Sequence, residues 1–92
     1  MDVQELLDKA KRNAGIESDY ALAKKLSFTK AAVSKWRNDL GAPDAEGAIK
    51  LAGLAGIEPM AALAMCEMAK TRDPEKLSFW RTIASGGNWR KR

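Results

Sequence analysis

The chain has no histidine and only one cysteine, and these two scarcities remove much of the usual chemistry. Zinc sites, Cys–His nucleophiles and Ser–His–Asp triads all require residues it does not have. Cys66 has no second cysteine for an intrachain disulfide, which fits a reducing interior, and its expected role is that of a small buried hydrophobe. A long hydrophobic run is also missing. The most apolar stretch, residues 51–69, is broken by Glu58-Pro59 and again by Glu67, and reads as two core helices rather than a membrane span. The opening Met-Asp-Val-Gln-Glu lacks the basic start and apolar run of a signal peptide. Alternating Val, Ile and Thr, the mark of strands, does not occur. These absences predict an all-α cytoplasmic domain that is not an enzyme and has no cofactor, metal, membrane or small-molecule substrate.

What is present is one small domain's worth of chain, 92 residues with abundant alanine, suited to closely packed helices. A domain this small buries a modest fraction of its surface, and a partner that adds to the core would stabilise it. The net charge is +4, a weak pointer to a polyanionic partner. Its distribution is more informative. Residues 1–69 hold nine Lys and Arg against ten Asp and Glu, whereas residues 70–92 hold seven against two. Within the first part, Lys24, Lys25, Lys30, Lys35 and Arg37 form a cluster with no acid between them. Segregation of this kind gives one face of a nearly neutral body a positive field.

Helical periodicity and capping residues divide the chain into six segments. Asp2 caps a first helix whose inner face is Val3, Leu6, Leu7, Ala10 and Ala14, stopped by Gly15. Ser18 caps a second, with Leu22, Ala23 and Leu26 inward, and Ser27-Phe28 breaks it. Thr29 caps a third, with Val33 and Trp36 inward and Lys30, Ala31, Ser34 and Lys35 outward. A turn-rich loop over residues 38–43 leads to Asp44 and a fourth helix with the inner stripe Ala45, Ala48, Ile49, Ala52 and Ala55, ended by Gly56. Pro59 opens a fifth helix running to about Lys70, where Met60, Leu63, Ala64, Met65 and Met68 cover enough surface for burial on two sides. Asp73-Pro74 opens a sixth that carries Leu77, Phe79, Trp80 and Ile83. Residues 85–92 then form a flexible basic tail, and its Arg90, Lys91 and Arg92 serve either solubility or DNA contact.

Residues 18–38 carry the functional signal. Two short helices joined by a tight turn need a small residue where they cross, here Ala23, and large residues closing the angle, here Leu26, Val33 and Trp36. The outer face of the second helix is then short, polar and cationic, as an element entering a major groove should be. Lys30, Ala31, Ser34 and Lys35 are the expected base-reading residues, with small Ala31 and Ala32 allowing close approach. Lys24 and Lys25 read first as solvated surface charges.

The Ala-Leu-Ala-Lys-Lys-Leu run, Val-Ser-Lys-Trp, and the later Ala-Ile-Lys-Leu-Ala-Gly-Leu-Ala-Gly-Ile-Glu-Pro resemble the lambda-repressor-like, Cro-type helix-turn-helix family over roughly residues 3–63. More narrowly the chain is similar to small repressors of filamentous phages and prophages, through Asp-Tyr before Ala-Leu-Ala and the Phe79-Trp80 pair. The resemblance implies base contacts from Lys30, Ala31, Ser34 and Lys35, and phosphate contacts near Ser18, Tyr20, Thr29 and Asn38; Arg37, in the same cationic cluster, is a further expected phosphate contact. Helix N-termini at Ser18 and Thr29 would direct free N–H groups at phosphate oxygens. Two positions depart from the pattern. Ser27 stands where the family usually has Gly, so the turn is either strained or shaped differently. Asp19 stands where Gln is frequent, and such an acid either caps the helix or pairs with a neighbouring lysine.

The surplus of apolar residues in the last third predicts a homodimer seam over residues 59–84, made by Met65, Met68, Leu77, Phe79, Trp80 and Ile83. The expectation is therefore a DNA-binding domain over residues 1–84, acting as a homodimeric phage or prophage repressor on an inverted-repeat operator and associated with the nucleoid when bound. An antitoxin-type regulator gripping a toxin with its C-terminal helices, or a helical interaction adaptor, are the alternatives.

Overall fold

The computed structural model describes residues 2–86. Among them are six α-helices and no strand: α1 (Val3–Ala14), α2 (Asp19–Leu26), α3 (Lys30–Arg37), α4 (Ala45–Ala55), α5 (Pro59–Lys70) and α6 (Pro74–Ala84). Every helix opens on a side-chain oxygen that accepts a first-turn amide: Asp2, Ser18, Thr29, Asp44, Glu58 and Asp73. Glu5 completes a capping box with Asp2, satisfying a donor in each direction. Such a cap stabilises a helix end by about 1 kcal/mol. Sequence therefore fixes the starts locally. Pro59 and Pro74 occupy the first turns of α5 and α6, where a missing N–H costs nothing. Gly15 and Gly56 end α1 and α4 in the left-handed region.

The core forms where α1 meets α4 and α4 meets α5. Leu6, Leu7, Leu22 and Leu51 are fully buried, surrounded by Ala10, Ala48, Ala52, Ala55, Ala62 and Cys66. Small side chains dominate the contact, so the helix axes can approach closely.

On α4 the inner stripe differs from the expected one. Ala45 is exposed and Ile49 is 50% exposed, while Gly47, Ala48, Leu51, Ala52 and Ala55 are buried. Residues two apart on a helix point roughly 160° away from each other, so burying Leu51 turns Ile49 outward. Gly47 lies in this stripe for a steric reason: a Cβ there would meet Pro43 Cβ at 3.2 Å and Phe28 Cε1 at 3.4 Å.

The C-terminal helices divide the expected seam residues. Met65 is only 9% exposed and belongs to the protomer's own core, because α5 is flanked by α4 on one side and α6 on the other. Met68, Leu77, Trp80 and Ile83 are half-buried and Phe79 is exposed. No residue of α6 is buried, although the helix packs along α5. Phe79 and Trp80 meet edge to face, 4.9 Å between ring centroids. Ser85 closes α6, its hydroxyl donating to the carbonyls of Arg81 and Thr82. The expected tail, with Arg90, Lys91 and Arg92, lies from residue 87 onward outside the described residues. Among the described residues no helix is long and apolar enough to cross a membrane.

Candidate nucleic-acid interface

Two eight-residue helices, α2 and α3, pack on each other across a short turn. Ser18 Oγ accepts the Ala21 amide and Thr29 Oγ1 accepts the Ala32 amide, each at 3.0 Å. In the turn, Ser27 adopts φ 62 and ψ 35, the left-handed conformation. The Phe28 amide donates back to the Ala23 carbonyl at 2.8 Å. The backbone thus keeps the glycine-type shape and accepts the strain that a Cβ brings to it.

Phe28 is the wedge that sequence reading passed over as part of a short break. Its ring stands edge-on to Trp36, with centroids 5.0 Å apart, and touches the α4 stripe beside Gly47. Lys50, from α4, donates to the Leu26 carbonyl at 3.1 Å, with its ammonium 5.8 Å from the Phe28 ring centroid. A C-terminal carbonyl of α2 is thereby satisfied by a cation, and the turn is tied to α4.

α3 is anchored by one face and open on the other. Val33 is 2% exposed and Trp36 is half-buried against the core. Lys30, Ala31, Ser34 and Lys35 are all exposed and lie together on the opposite side. Lys24 and Lys25, in the last turn of α2, are exposed too. Among the described residues no carboxylate pairs with any of these four lysines. Lys30 instead places its ammonium 4.6 Å from the centroid of the Tyr20 ring, which is itself 56% exposed. Between α2 and α3 opens a cavity of about 240 Å³ lined by Asp19, Tyr20, Lys30, Val33, Ser34 and Arg37.

The expected phosphate residues fall into two groups. Ser18, Tyr20 and Thr29 are exposed at the starts of α2 and α3, where first-turn amides lack helical partners. Arg37 and Asn38 are engaged within the protein. Asn38 caps α3, its side-chain amide donating to the Ser34 carbonyl at 2.8 Å. Arg37 turns inward: Nε donates to Asp19 Oδ2 at 2.9 Å, one terminal nitrogen to Asp19 Oδ1 at 2.9 Å and Asp8 Oδ1 at 2.7 Å, and the other to Gln4 Oε1 at 3.1 Å. Its side chain is 22% exposed.

Asp19 does not cap α2; Ser18 does. The carboxylate pairs with a lysine, Lys11 of α1 at 3.0 Å, as well as with Arg37. The Arg37 hydrogen bonds hold its pKa below the ordinary 3.8 against the opposing cost of burial, with Lys11 adding to the effect. On Arg37 burial works against the charged form, yet Asp19 and Asp8 outweigh it and raise its pKa further. An acid that would repel phosphate is therefore neutralised by two cations. Gln4 also donates to the Trp36 carbonyl at 2.6 Å and to Asp39 Oδ1 at 3.3 Å.

Gln4, Asp8 and Lys11 escaped the sequence reading. Their one signal is a polar stripe at i, i+4 and i+7 beside the apolar stripe of α1, which by itself says nothing of what it faces. Among the described residues no group of three or more His, Cys, Asp and Glu side chains is arranged to hold a metal ion. Comparison of the chain with protein-family models, with curated proteins and with solved structures gives no match.

Proposed function

We propose that this chain is a sequence-specific, double-stranded DNA-binding transcriptional regulator, a phage or prophage repressor that binds an inverted-repeat operator as a homodimer in the bacterial cytoplasm. One observation carries the reading: α3 offers Lys30, Ala31, Ser34 and Lys35 on a single exposed face with no acid on the helix, while Val33 and Trp36 fix it from behind. Lysine ammonium groups suit guanine O6 and N7, small Ala31 permits close approach or contact with a thymine methyl, and Ser34 adapts to donor or acceptor. Ser18, Tyr20 and Thr29 at the two helix starts are suited to flanking phosphates, where unpaired amides add to side-chain donors.

One α3 reads too few base pairs to discriminate a site, and a two-fold pair doubles the contact. α6 supplies a surface for that pairing, because none of its residues is buried and Leu77, Phe79, Trp80 and Ile83 leave apolar area uncovered. That same helix serves the antitoxin alternative, in which a different protein covers it. Mass in solution separates the two.

The test begins with selection of bound sequences from a random duplex pool, which reports half-site and spacing. Lys30→Ala and Lys35→Ala are each expected to weaken the selected duplex by about 1–3 kcal/mol and to relax preference at particular base pairs. Binding as tight as wild type by both variants, or no selectable duplex at all, rejects the proposal.

A further inference from the structure

The cluster around Arg37 joins three helices at one point. Arg37 ends α3, Asp19 begins α2, and Gln4, Asp8 and Lys11 project from α1. The guanidinium fork takes both oxygens of Asp19, a geometry that a lysine or a mobile ion pair does not reproduce. Gln4 works in both directions, accepting from Arg37 through its oxygen and donating through its nitrogen to the Trp36 carbonyl and Asp39. The last turn of α3 is thus held to α1 and α2 by directional bonds. These bonds add an angular constraint to the apolar contacts of Val33 and Trp36. Asp39 sits just beyond at φ 58, a left-handed conformation sustained by bonds on either side of it.

We infer that Arg37, Asp19, Gln4 and Asp8 form a latch that sets the orientation of α3, and that this latch determines sequence specificity without touching DNA. The inference rests on the proposed DNA-binding reading and assigns Arg37 a positioning role within it. Base readout depends on angle, because a bidentate contact survives only a small tilt of the helix that carries it. Non-specific binding depends on charge at the surface and tolerates the tilt. Loosening the latch should therefore cost discrimination more than general affinity.

The signs of two substitutions separate this from simpler roles. If Asp19 were only an acid near phosphate, Asp19→Asn would tighten binding to every duplex. As part of the latch, it should instead weaken the selected duplex while leaving a scrambled duplex of equal length unchanged or slightly tighter. If Arg37 were a phosphate contact, Arg37→Gln would weaken both duplexes by the same factor and lower the salt slope by roughly one unit. As a latch it should leave that slope unchanged and, beyond the common loss that the freed Asp8 and Asp19 carboxylates impose on both duplexes, lower the ratio of selected to scrambled affinity by about tenfold or more, the discrimination of one good base contact. Arg37→Lys keeps the charge but loses the fork, and should not restore the ratio.

The free protein supplies an independent measurement. Hydrogen exchange at the Asn38 and Leu40 amides, bonded to carbonyls of Ser34 and Lys35, should quicken in Asp19→Asn while amides of α4 keep their protection. Asp8→Asn, at a more exposed carboxylate, is the milder variant should Asp19→Asn fail to fold. Equal losses on both duplexes, a slope lowered by one unit, or unchanged exchange at the end of α3 overturns the latch. A wild-type chain that selects no duplex overturns the DNA reading alone, since exchange still reports whether the latch holds α3.

Discussion

Replacing Ser27 with glycine should stabilise the protein, and the size of the gain follows from the turn. Ser27 adopts φ 62 and ψ 35 between α2 and α3. An L-residue with a Cβ pays about 1–2 kcal/mol in that conformation, because the Cβ crowds the following carbonyl. Glycine removes that strain but has more backbone freedom to lose on folding, which returns about 0.4–1 kcal/mol. The net expectation from the middle of these ranges is a gain of about 0.8 kcal/mol, or roughly 3–6 °C in Tm for a domain of this size. The Ser27 side chain is exposed and makes no hydrogen bond among the described residues, so nothing else is lost. The bond from the Phe28 amide to the Ala23 carbonyl belongs to the backbone and remains. Thermal melting followed by far-UV circular dichroism measures the shift. Ser27→Ala is the control, since it keeps the Cβ and should stay within about 0.5 kcal/mol of wild type. A glycine variant that melts at or below wild type, or an alanine variant that gains as much, would refute the argument from left-handed strain.

Two further predictions concern the second half of the chain. Phe79→Asp places a charge on the exposed part of α6, and should convert a dimer to a monomer in sedimentation at micromolar concentration with helicity unchanged; a wild-type monomer that binds an inverted repeat tightly would remove the seam from α6. Cys66 should resist a maleimide at neutral pH until the chain is unfolded, because burial pushes its thiol up to about 11 despite the opposing charge of Lys70, and rapid labelling of the native protein would contradict that burial.

The positive character of the α2–α3 face comes from which charged groups are paired internally. Five cations belong to the cluster of residues 24–37, and four of them, Lys24, Lys25, Lys30 and Lys35, remain exposed. The fifth, Arg37, is consumed by Asp8 and Asp19. Asp19, left unpaired, would stand in the cavity between α2 and α3 and oppose any polyanion there. The pairing therefore removes an unfavourable charge from the face and fixes its geometry in one arrangement.

Sequence by itself determined the elements that depend on near neighbours. The caps at Asp2, Ser18, Thr29, Asp44 and Asp73 stand where they were expected, as do the stops at Gly15 and Gly56 and the outward set Lys30, Ala31, Ser34 and Lys35. Each follows from a residue acting on backbone one to four positions away, or from helical periodicity. Tertiary structure alone decided three things. It rotated α4 so that Leu51 rather than Ile49 is buried, because two stripes of nearly equal hydrophobicity were available and only packing against α1 and α5 chose between them. It drew Met65 into the protomer core, since α5 meets neighbours on two sides. Finally, it turned Arg37 inward toward Gln4, Asp8 and Asp19, partners as many as 33 residues away. A long cationic side chain near a helix end can reach solvent, a phosphate or a distant carboxylate, and its own neighbours in the chain favour none of these. The outcome depends on where α1 passes, which only the folded arrangement of the helices fixes.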